Sequence, residues 1–135
     1  VDKSLKVADL PIVWNEQIKQ YLDLEVPDDS QGVLQDIHWS GGQFGTFCNY
    51  TIGNVMAAQL METMKKTNPE IQNDINQANY EPLLNWLTSN IHAHGRRYTR
   101  NELLERSTGE TLNPLPYINY LKGKASQVYG VKFND

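Results

Sequence analysis

Cysteine is almost missing from this sequence: its 135 residues include one, Cys48. No internal disulfide framework can be built, and a lone thiol fits a reducing cytoplasm. Excess positive charge is missing too. Twelve Lys and Arg face sixteen Asp and Glu, for a net charge of −4, and the basic residues are scattered. That removes the electrostatic footprint of a nucleic-acid or anionic-membrane binder. No apolar run approaches the ~20 residues a membrane-spanning helix needs. The opening VDKSLKVADL has neither a Met start nor the basic-then-apolar layout of a signal peptide, so Asn49-Tyr50-Thr51 reads as a chance glycosylation sequon. Hydrophobic residues make up 39%, low for a self-sufficient domain but too high for a disordered chain. Some apolar helix faces are therefore expected to meet other chain.

Complete catalytic motifs are also lacking. There is no H-E-x-x-H, no cysteine pair and no carboxylate cluster at ligand spacing, so no full zinc site is predicted. Gly41-Gly42-Gln43-Phe44-Gly45 lacks the Lys, Ser or Thr that ends a phosphate-cradling loop, and no nucleophile elbow occurs. His92 and His94 are two apart, about 200° around a helix, and cannot easily share one ion. At a helix C-terminus they suit the dipole instead. Arg96, Arg97 and Arg100 beside Tyr98 read as a solvated turn. Cys48 reads as a small core residue near a helix start.

What is present is helical periodicity. Asp9 followed by Leu10-Pro11 reads as a capped helix start, with Ile12, Trp14, Ile18, Tyr21 and Leu22 continuing the period to about Asp23. Residues 26–32 are turn-rich, and residues 33–39 partly alternate, which allows a short extended segment. A longer helix is predicted from Asn49 or Thr51 to Thr67, and a more polar one after Pro69. Another runs from Tyr80 to His92-Ala93-His94, with Gly95 as a left-handed cap. Thr99 and Glu102 have capping-box spacing, opening a short helix to Gly109. The last helix spans Pro114 to Tyr129, with Tyr117, Ile118, Leu121, Ala125 and Val128 on one side. The expectation is a single all-α unit, residues 1–135, with one glycine-rich irregular segment at about 26–48.

That segment holds the densest chemistry: Gln35, Asp36, His38 and Trp39 lie within five positions. In an extended strand Asp36 and His38 share a face. A carboxylate beside an imidazole fixes its tautomer and raises its basicity, which serves a general acid or base, or a group that holds others in place. In a helix, residues two apart diverge and the pairing weakens. A plainer reading also stands: Asp36 caps a turn, and His38 is half-buried with a structural hydrogen bond.

Gly32-Val33-Leu34-Gln35-Asp36-Ile37-His38-Trp39 matches the G-x-x-Q-D-x-H-W signature of the Taq-type, thermostable zinc metallocarboxypeptidases. The segments Val7-Ala8-Asp9-Leu10-Pro11 to Trp14-Asn15, Val26-Pro27-Asp28 and Ser40-Gly41-Gly42-Gln43-Phe44-Gly45 resemble the same family. So do Leu83 to Leu87, Ile91-His92 to Gly95-Arg96, and Thr108-Gly109-Glu110 with Pro114. They follow the order found at the C-terminal end of those enzymes, which are three to four times longer. The resemblance implies the helical C-terminal lobe of a neurolysin-like or angiotensin-converting-enzyme-like metallopeptidase. The H-E-x-x-H helix, the downstream metal-ligating Glu and the segment that binds the substrate's terminal carboxylate would precede this portion.

In the whole enzyme, the resemblance implies, zinc or cobalt activates water and the C-terminal residue of a peptide is released. This portion would bind no metal itself, would be inactive alone, and would have the missing N-terminal portion as partner, with a homodimer admitted. Gln35, Asp36, His38 and Trp39 would line or buttress the cleft, and Gly32, Gly41, Gly42 and Gly45 would shape the motif. One departure concerns the residues after Gly45. The family usually continues tyrosine, phenylalanine, proline; this chain has Thr46-Phe47-Cys48, losing a phenol and a stiffening ring. A different class of reading is a free-standing helical binding module that kept the fold without the chemistry.

Overall fold

A computed structural model describes residues 4–133. Its regular structure, among those residues, is helical throughout. Helices α1 (Leu10–Leu22), α2 (Ile37–Ser40), α3 (Cys48–Thr67), α4 (Ile71–Asn76), α5 (Glu81–Asn90), α6 (Arg100–Thr108) and α7 (Leu115–Tyr129) follow in order. Short 3₁₀ turns lie at Val7–Asp9, Asp29–Gln31 and His92–His94. The chain divides into two compact units, one ending at Cys48 and the other starting at Asn49.

In the first unit, α1 begins with Pro11 in its first turn, where the missing N–H has no intrahelical role. The Asp9 side chain makes no capping bond; the preceding 3₁₀ turn carries the chain into the helix instead. Asp23 closes α1 in the left-handed region (φ 54°), its N–H donating to the Lys19 carbonyl at 3.0 Å. Of the two conformations the alternation allows across residues 33–39, the extended one is not formed. Leu34 N–H donates back to the Asp29 carbonyl and Gln35 N–H to that of Gly32, and a single helical turn starts at Ile37.

In the second unit, α3 supplies Val55, Gln59 and Met64, α4 supplies Ile71, and α6 supplies Leu104 to the buried core. Met64, Ile71 and Leu104 are essentially inaccessible, each worth about 1.5–3 kcal/mol of burial. Gln59 is a buried polar group. Its Nε2 donates to Thr108 Oγ1 (3.2 Å) and the Thr111 carbonyl (2.9 Å), and its Oε1 accepts from Asn113 N–H (3.0 Å). It thereby fastens the link between α6 and α7 to α3. The capping box at α6 is complete: Thr99 and Glu102 bond each other's backbone N–H, and Gly109 closes the helix in the left-handed region.

Two local expectations are corrected here. Helix α5 ends at Asn90, and His92–His94 winds as a separate 3₁₀ turn. Gly95 has a positive φ of 54° with ψ −124°, outside the left-handed helical basin, and it closes the 3₁₀ turn rather than α5, its N–H donating to the His92 carbonyl at 3.1 Å. Along α7, Ile118, Leu121 and Val128 are exposed while Tyr117 and Ala125 are half-buried, so the apolar side read from the sequence is only partly covered.

Candidate functional site

The residues singled out from the sequence gather on the loop from Val26 to Cys48, within the first unit. Asp28 organises its entry. It accepts bonds from the Ser30 hydroxyl (2.6 Å) and Gln31 N–H (3.0 Å), and these, the hydroxyl most, hold its carboxyl below the usual carboxylate range. Gly32 follows, buried, at a point of close approach. A Cβ there would lie 2.7 Å from Val26 Cγ1, 3.1 Å from the Asp28 carbonyl oxygen and 3.4 Å from Asn15 Oδ1. The first glycine of the signature is thus demanded by space. Val33 beside it is the buried apolar residue among the described residues of this unit.

Asp36 has extended backbone angles (φ −81°, ψ 103°) and sits immediately before α2 as its cap. Its Oδ1 accepts the His38 backbone N–H at 2.9 Å and faces His38 Nδ1 at 2.6 Å. The backbone bond is the main cause that lowers the Asp36 carboxyl; partial burial opposes it and the His38 ring adds to it. Both side chains are largely shielded, at 15% and 22% exposure. The pairing therefore survives in a helical setting: Asp36 is outside the helix, and its side chain reaches over the first turn. Capping and ring contact are one arrangement, served by the same carboxylate oxygen. With Nδ1–H donating to the carboxylate, the neutral ring carries its lone pair on Nε2.

Aromatic rings bracket the turn. Phe47 stands edge-on to His38 (5.4 Å, 70°), and Trp39 meets Trp14 of α1 edge-on (6.1 Å, 88°) and Phe44 at a tilt (6.1 Å, 38°). The chain returns on two glycines: Gly42 and Gly45 both have φ 72°, the left-handed region that other residues enter at a cost. Gly41 differs. Its φ is −85°, and a Cβ would meet the His38 carbonyl at an ordinary 3.6 Å. The His38 carbonyl accepts N–H bonds from Gly41 and Gln43, tying the return to α2. Gln35 is exposed and lines a groove of about 240 Å³ with Trp14, Ile18, Leu22 and Gln31.

Cys48 is exposed rather than a core residue, because its position at the start of α3 faces outward; its Sγ donates to the Gly45 carbonyl at 2.9 Å. His94 packs edge-on to Tyr98, whose ring lies 4.5 Å from the Arg106 guanidinium. Among the described residues no group of three or more His, Cys, Asp or Glu side chains is placed to hold a metal ion, and no helix is long and apolar enough to cross a membrane. Sequence reasoning missed Trp14 and Phe44 as braces of the signature. The available signal was aromatic residues flanking the motif on both sides.

Comparison with known proteins agrees with this picture. Residues 1–125 match the family model described as carboxypeptidase Taq (M32) metallopeptidase. The chain is 38% identical over 126 residues to carboxypeptidase 1 of Bacillus subtilis, covering 93% of this chain and 25% of that protein. It is 36% identical over 127 residues to thermostable carboxypeptidase 1 of Thermus thermophilus, with 94% and 25% covered. Among solved structures, the M32 carboxypeptidase of Deinococcus radiodurans superposes with a TM-score of 0.88 at 43% identity, over 95% of this chain and 26% of that one. Trypanosoma cruzi metallocarboxypeptidase 1 gives 0.85 at 40%, over 91% and 26%. The chain thus spans about a quarter of the length of these relatives, consistent with their C-terminal portion. It belongs to the carboxypeptidase Taq (M32) metallopeptidase family.

Proposed function

We propose that this chain is the C-terminal part of a metal-dependent carboxypeptidase that removes C-terminal residues from peptides, and that it builds one wall of the substrate cleft. The observation that carries the reading is the Asp36–His38 pair: a shielded carboxylate and imidazole at 2.6 Å, set on the family's signature segment. The family's metal does not fit the residues described here, since no trio of donors is assembled. Its ligands, to zinc or cobalt, belong to the remainder of the protein.

The work of this portion is positional. Asp36 orients the His38 ring and fixes which nitrogen donates, and the pair buttresses or lines the cleft with Gln35 and Trp39. Residues 1–135 act as one helical lobe completed by the N-terminal portion, and the single exposed Cys48 favours a reducing cytoplasm. The test is to measure metal content and C-terminal residue release together on the purified 135-residue chain supplied with zinc or cobalt. The expected result is neither stoichiometric metal nor turnover. Bound metal with turnover would overturn the reading, because three scattered histidines would then have to form the site.

A further inference from the structure

Helix α2 has four residues, a single turn, and one turn of helix does not hold its own orientation. Yet the His38 ring it carries must point one way for the Asp36 contact to form. The Asp36 cap fixes the start of the turn. Rotation of the turn about its axis is set one residue beyond His38, where Trp39 is held between two rings, Trp14 and Phe44. Phe44 lies on the Gly42–Gly45 return of the same loop as α2. Trp14 belongs to the thirteen-residue α1, a separate and regular element. Successive helical side chains are about 100° apart, so clamping Trp39 edge-on to Trp14 also dictates the direction of the His38 ring. The neighbour of Trp14, Asn15, meets the other end of the loop at Gly32, within 3.4 Å of where a Cβ would sit. Helix α1 therefore touches the signature segment at both its first and last residues.

We infer that Trp14 is a positioning residue for His38: α1 serves as the strut that holds the Asp36–His38 pair in register. This rests on the reading of that pair as a cleft element. The test uses the 135-residue chain, labelled with nitrogen-15, in alkaline buffer. Ring nitrogen shifts then report the tautomer of His38, which a loss of stability alone would not alter in a folded chain. Wild type is expected to hold the Nδ1–H form, and Asp36→Ala to revert to the Nε2–H majority of a free imidazole. Trp14→Leu, with its circular-dichroism helix signal intact, is expected to lower the Nδ1–H to Nε2–H ratio about fivefold or more, and Trp14→Phe to retain most of it.

An unchanged ratio in Trp14→Leu beside a lost one in Asp36→Ala overturns the inference and leaves the pair standing. An unbiased ratio in wild type, or no change in Asp36→Ala, removes the pair and the inference together. Should Trp14→Leu lose its helix signal, Trp14→Met serves as the ring-free variant, expected to lower the ratio while Trp14→Phe keeps it. An unchanged ratio in Trp14→Met, with helix intact, overturns the inference.

Discussion

Gly32 shows how one side chain's absence can shape a site. A methyl group there has Val26 on one side and a backbone carbonyl on another, and the carbonyl cannot swing away. Gly32→Ala is expected to lower stability by about 1–3 kcal/mol, the usual cost of overpacking, read from the urea midpoint of the chain. Gly41→Ala, with only an ordinary 3.6 Å contact, is expected to stay within about 0.5 kcal/mol of wild type in the same titration. The two glycines look alike in the sequence; what separates them is space around Gly32, supplied by α1 and the Val26 turn. His38 illustrates the converse. Its chemical pairing was legible from Asp36 two residues away, but the geometry was not, because a carboxylate capping the turn from outside is neither an extended strand nor a helix interior. In a full-length protein, His38→Ala is expected to lower activity far more than metal content, which parallel metal analysis and peptide hydrolysis would separate.

Among elements, those with long periodic patterns or strong caps were legible. Helices α1, α3 and α7 carry enough turns to reveal a 3.6-residue period, and the Thr99–Glu102 box announces α6 from two residues alone. Helix α2 was not, since four residues cannot display that period and their partial alternation imitates a strand. Nor was the role of Gln59, whose three bonds reach residues 49 to 54 positions further on; its place one turn after Val55 was the available hint. Gln59→Leu would strand the Asn113 N–H and the Thr111 carbonyl, and is expected to destabilise the second unit by about 1–3 kcal/mol. Hydrogen exchange at Asn113 should accelerate in parallel. The caps also set a pH dependence. The carboxyls of Asp28, Asp36 and Glu102 are lowered by bonds they accept: from the Ser30 hydroxyl, the His38 backbone and the Thr99 hydroxyl foremost. A lowered folded value adds stability that is complete above the ordinary carboxylate range, about 3.9–4.3, and is lost as pH falls through the folded values. Helical signal is expected to be flat from neutrality to about pH 5 and to fall below about pH 4. A midpoint near neutrality would contradict this origin.

At the scale of the molecule, each of the two units leaves apolar surface open. Leu34, Ile37, Phe44, Ile118, Leu121 and Val128 all stand exposed, as expected of faces that meet other chain. The 39% hydrophobic content foreshadowed this, though which faces stay open was visible only once the helices were placed. In isolation the chain is expected to associate with rising concentration in sedimentation experiments and to bind a hydrophobic dye, whereas a free-standing binding module would be a monomer with a sharp two-state transition. The most direct measurement is a graft. The C-terminal quarter of Bacillus subtilis carboxypeptidase 1 is replaced by these 135 residues, and release of C-terminal residues from peptides is followed. Turnover by the chimera, reduced sharply by His38→Ala and improved by Thr46→Tyr, is the predicted result. A folded, metal-loaded chimera that stays inactive even with Thr46→Tyr and Cys48→Pro would contradict the claim that this chain completes a carboxypeptidase cleft.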